Sequence, residues 1–87
     1  VDIDWEFPIT GGDAGVHHDQ NDDVNLTLLL QEFRDQLDAK EDAIEKELLL
    51  TMATPGSDFR AQNFRITDDQ HLVDWFNLMS YDFYGAW

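Results

Sequence analysis

The chain has 87 residues, 43% of them apolar, and carries 19 acidic against 5 basic side chains for a net charge of -14. Binding a phosphate backbone needs clustered Lys and Arg, so nucleic-acid partners are excluded. No apolar run approaches bilayer length, so no membrane partner is expected. Without Cys, the stretch holds no disulfide, thiolate metal site or Cys nucleophile.

The chain opens Val1-Asp2-Ile3-Asp4-Trp5-Glu6-Phe7, acids alternating with branched and aromatic residues. Residues two apart on a strand share a face, so Asp2, Asp4 and Glu6 form a row with neighbours about 6.6 Å apart along the strand. Like charges at that spacing couple their titrations and push carboxyl pKa values upward. A carboxyl that stays protonated near neutrality is what the general acid of glycosidic cleavage needs. A solvated edge strand or a calcium site would carry the same row without catalysis.

Pro8 to Asn21, with Gly11, Gly12 and Gly15, is loop chemistry. Asp19, Asn21 and Asp23 resemble the start of a calcium loop. Val24 stands where that loop requires Gly, however, and Leu30 where it requires Glu. A solvated loop bordering the cleft, with no metal, is the expectation for His17, His18 and their neighbours. Asp22 or Asp23 caps a helix whose apolar positions Leu26, Leu29, Leu30, Phe33 and Leu37 follow the helical period. The charged residues 38–46 carry it to its end, and Asn25-Leu26-Thr27 fits a glycosylation sequon.

Leu48 to Ala53 is a continuous apolar run, as in a strand covered on both faces. Thr54-Pro55-Gly56-Ser57 closes it, residues 57–66 leave their type open, and Thr67 or Asp68 caps a short helix through Val73. A last strand runs from Trp75 to Tyr81, followed by a loop. Trp5, Trp75, Phe76 and Leu78 are expected to face the helices, and His71 the solvent. The order strand, helix, strand, helix, strand describes repeated βαβ units and a parallel sheet. A doubly wound sheet and an eight-stranded barrel both fit. No Gly-rich phosphate fingerprint follows the first two strands, and polar residues at the C-terminal ends of the first and third favour the barrel. The chain starts on a strand residue rather than Met and stops just after Tyr81-Asp82, so it reads as an excerpt of a longer protein.

Asp2-Ile3-Asp4-Trp5-Glu6 resembles the core of the glycoside hydrolase family 18 motif Asp-Gly-x-x-Asp-x-Asp-x-Glu, which ends barrel strand four; the motif's leading Asp and Gly fall before residue 1. Met79-Ser80-Tyr81-Asp82 resembles the family's Met-x-Tyr-Asp at the end of strand six. The longer strings Trp5-Glu6-Phe7-Pro8 and Ser80 to Ala86 are similar to the bacterial chitinase A type. The resemblance covers the whole chain but only about a third of a barrel of about 250 residues. It implies an α/β fold, a fragment of a (β/α)8 TIM barrel covering about strands four to six. Residues 1–87 would be a partial catalytic domain, truncated at both ends and inactive by itself.

The resemblance also implies a reaction: retaining hydrolysis of β-1,4-N-acetylglucosamine linkages in chitin or chitooligosaccharides, with the substrate's acetamido oxygen as nucleophile and no cofactor. Glu6 would be the general acid. Asp4 would orient the acetamido N–H and stabilise the oxazolinium ion, with Asp2 paired to Asp4, the most buried pair sharing a proton, and Asp4 free to swing between Asp2 and Glu6. Tyr81 would donate to the acetamido carbonyl, Met79 line the acetyl pocket, Asp82 bind sugar hydroxyls, and Trp87 stack on a sugar of the leaving group. A polymeric substrate implies an extracellular enzyme. Two alternatives remain. Endo-β-N-acetylglucosaminidases of the family usually depart from both motifs, and chitin-binding lectins of this type have typically lost the acid.

Overall fold

In the computed structural model, which describes residues 1–85, three strands lie in sequence order as one parallel sheet, β1 (Asp2–Ile3), β2 (Thr51–Pro55) and β3 (Trp75–Met79). Helix α1 (Asp22–Ile44) connects the first pair, and the single turns α2 (Asp58–Ala61) and α3 (Ile66–Asp69) connect the second. Asp2 pairs with Thr51 and Thr51 with Trp75, while Ile3, Met52 and Phe76 form the next row. Each strand is added on the same side of the last. Right-handed crossovers then keep the helices on one face, where α1 and α3 touch. The other face stays open.

The helical face holds the core. Leu26 and Leu30 of α1 are fully buried against Leu50, Met52 and Phe64, with Ile3, Trp5, Phe33, Leu37 and Phe76 packed around them. Each such side chain contributes about 1.5–3 kcal/mol on burial. Leu29, expected in the stripe, is 40% exposed; it lies at the edge of the arc formed by positions 26, 30, 33 and 37. The helix ends where Glu45 turns left-handed at φ 55° and its N–H bonds back to the Glu41 carbonyl.

The second ladder begins at Thr51 rather than Leu48, because a side-chain network takes the earlier backbone groups. Arg34 donates to the Leu48 carbonyl and pairs with Asp38, Glu41 and Asp74, while Glu41 accepts the Leu48 N–H and Asp74 the Leu50 N–H. This pins the starts of β2 and β3 at the end of the sheet away from the candidate site. Two expected core residues are not core. Trp75 is 49% exposed and shares the open face with Asn77, as its odd position requires; Leu78 shares the Phe76 face, yet no described helix covers it and it is 63% exposed.

Candidate active site

The open face joins side chains from all three strands. Asp2 of β1 lies in register with Thr51 of β2, whose Oγ1 donates to Asp2 Oδ1 at 2.6 Å. Asn77 Nδ2 of β3 donates to the same oxygen at 3.2 Å, and Trp75 Nε1 donates to Asn77 Oδ1 at 3.1 Å. Two neutral donors thus serve Asp2, and Asp4 lies toward Glu6, with which it shares a side-chain hydrogen bond.

Glu6 stands where the row reaches the strand ends. Its pKa is raised above the ordinary 4.5 first by desolvation, then by the charge of Asp4 and the hydrogen bond to it, with Asp13 and Asp82 adding to the effect. It lines a cleft of about 420 Å³ with Phe7, Arg60, Met79, Tyr81 and Asp82. A smaller recess of about 210 Å³ on its other side is bordered by Gly12, Asp13 and Val16, so the loop after β1 does border the site. Glu6, Tyr81, Met79 and Asp82 thus meet around one space, with Asp2 anchored on the sheet below. Trp5 turns away into the core, as its alternation requires. Trp87 lies outside the described residues.

Backbone geometry lets the loops converge. Gly56 follows β2, and a Cβ there would lie 2.7 Å from the Met79 carbonyl oxygen, so only glycine allows β3 to end this close. At Gly12, φ +78°, a Cβ would overlap the Glu6 carbonyl. The far end of the β1 loop is fastened by Asp22, which is buried; it accepts the Asp19 N–H at 2.8 Å and a bond from Asn25 Nδ2 at 3.3 Å. The Asp19 hydrogen bond is the main reason its pKa falls below the usual value. Asn21, not Asp22 or Asp23, occupies the cap position.

Thr51, Asp13 and Arg60 were not singled out from sequence. Thr51 was visible as the one hydroxyl inside an apolar run, and Arg60 as a rare base in an acidic chain. Asp13 carries no such signal, since its role depends on how the glycine-rich loop folds back.

Residues 1–87 match the family Glycosyl hydrolases family 18 along their whole length. The chain belongs to this family. It is similar to Chitinase A1 of Niallia circulans, 44% identical over 87 residues, all of this chain and 12% of that protein. It is similar to Chitinase A of Pseudoalteromonas piscicida at 38% identity, over all of this chain and 11% of the relative. The chain therefore spans about an eighth of these curated relatives. Among solved structures, chitinase ChiA74 from Bacillus thuringiensis superposes with a TM-score of 0.94 at 36% identity, covering 99% of this chain and 14% of the other. A class V chitinase mutant from Nicotiana tobaccum in complex with NAG4 gives a TM-score of 0.75 at 32% identity, covering 97% and 22%.

Proposed function

We propose that this chain is part of the catalytic domain of a secreted chitinase, contributing about strands four to six of a (β/α)8 barrel. The singly wound order and the open polar face support the barrel, whose active site sits at the C-terminal ends of the strands. The observation that carries the reaction is Glu6: a carboxyl in a cleft, with Asp4, Asp13 and Asp82 all opposing its ionisation. Such a group holds its proton until a leaving oxygen takes it.

In this reading Glu6 protonates the glycosidic oxygen as the acetamido oxygen of the sugar on the other side attacks the anomeric carbon. The bond to the leaving sugar breaks, and an oxazolinium ion forms with inversion. Asp4 then holds the acetamido N–H, and its charge offsets the cation. Tyr81 fixes the acetamido carbonyl for in-line attack. Met79 lines the acetyl pocket, and Asp82 binds sugar hydroxyls. Glu6, now ionised, deprotonates water, which opens the ring with a second inversion and net retention. Asp2, held by Thr51 and Asn77, supports the row from below.

By itself the 87-residue chain would not turn over, because three strands leave open edges and one uncovered face. The test uses the complete protein on the soluble N-acetylglucosamine tetramer, following the anomeric proton of the first product by NMR. The β anomer is expected. A first product in the α form, or no cleavage, would overturn the reading.

A further inference from the structure

Arg60 is one of five bases in a chain with 19 acids, and it lines the cleft that holds Glu6. It belongs to α2, beyond β2, yet its contacts run back to the loop beyond β1. The guanidinium carbon lies 4.7 Å from the centroid of the Phe7 ring and 6.0 Å from that of Phe59. Nη1 donates to the Thr10 carbonyl at 3.3 Å. Gly11, at φ +100°, leaves room for this group, since a Cβ there would overlap Nη1. Three consecutive features of one loop, the Phe7 ring, the Thr10 carbonyl and the bare Gly11, therefore converge on one side chain from another.

We propose that Arg60 is a positioning residue, a clamp between the two rim loops that acts through Phe7 to hold Glu6 at the cleft. The inference rests on the reading of Glu6 as the acid. Phe7 follows Glu6 directly, so fixing the aromatic ring fixes the backbone that aims the carboxyl. A planar guanidinium can cover a ring face and still direct an N–H in its own plane to a carbonyl, which an ammonium cannot match. Misplacement by about 1 Å lowers a rate about a hundredfold, so a modest relaxation of Phe7 is enough to be read in turnover.

The test compares Arg60→Ala, Phe7→Leu and the double variant in the complete protein on the N-acetylglucosamine tetramer. Each single variant is expected to lower kcat about 10- to 100-fold with KM within about twofold. The double variant should be no worse than the poorer single, because both break one contact. Amide exchange at residues 6–16 should accelerate about tenfold in Arg60→Ala, with the α1 amides unchanged. Where the alanine variant does not fold, Arg60→Gln keeps a donor for Thr10, removes the cation from Phe7, and is expected to give the same pattern. Unchanged kcat, a loss confined to KM (which would make Arg60 a sugar contact), multiplied losses in the double variant, or unchanged exchange at 6–16 would each overturn the clamp. If the unsubstituted protein does not cleave the tetramer, the acid reading fails, and exchange still decides for or against the clamp.

Discussion

Glu6 and Asp69 are both carboxyls pushed above their usual pKa with desolvation as the leading cause, yet they occupy regions with different surroundings. Asp69 sits in the helical layer where α3 meets α1, fully buried, with Thr27 Oγ1 donating to Oδ1 at 2.6 Å and no partner for Oδ2 among the described residues. Glu6 faces a cleft and is surrounded by other acids. A raised pKa therefore accompanies a packed helical layer in one place and an open cleft in the other, and only the second leaves room for the proposed acid role. What separates them is access to a ligand and the neighbours that act when the proton leaves. Around Glu6 those are acids that oppose its charge; around Asp69 the main neighbour is a hydroxyl that stabilises it.

The largest effect that sharpens this contrast is expected from Glu6→Gln. In the complete protein it should lower kcat on the N-acetylglucosamine tetramer about a thousandfold, with tetramer binding by calorimetry retained. Near-normal turnover would leave Glu6, like Asp69, an acid with a raised pKa and no part in the reaction. Asp4→Asn comes next, and its informative readout is the pH profile. The charge of Asp4 and its hydrogen bond both raise the Glu6 pKa. Without them Glu6 gives up its proton at lower pH, and the acid form needed for protonation disappears sooner. The alkaline limb of kcat/KM should therefore move toward acid pH. A limb that stays or moves the other way would show that Asp4 does not set the titration of Glu6.

The same two regions explain what could be read from sequence. The alternation that puts Asp2 on the open face and Ile3 and Trp5 on the core, and the Leu26, Leu30, Phe33 and Leu37 stripe, were legible because strand and helix periods act locally. The order of elements followed from the same patterns. Trp75 was misread because its hydrophobicity outweighed its position, although position alone puts it with Asn77. The partners of Asp2 depend on the register of β1 against β2, which opposes Asp2 to Thr51 and which no local pattern contains. Arg60 over Phe7 depends on two loops about 50 residues apart meeting at one place. The burial of Asp69 depends on α1 covering it, which again no local pattern contains.

That covered acid allows smaller tests on the other side of the contrast. Thr27→Val removes the hydroxyl that serves Asp69 and should destabilise the complete protein by about 1–3 kcal/mol at neutral pH, read as a lower urea midpoint. Asp69→Asn should act in the opposite direction by about 1 kcal/mol. The amide keeps an acceptor for Thr27 Oγ1 and removes a desolvated charge. Because the folded pKa of Asp69 lies above its ordinary 3.8, its contribution to stability is fully present below that value and is lost as pH rises through the folded pKa. Asn does not titrate, so the variant's advantage should be present at about pH 7 and shrink toward about pH 4. An Asp69→Asn protein less stable than the parent at both pH values would mean that the ionised carboxylate is held by a charge partner, and the contrast with Glu6 would then rest on access to the cleft alone.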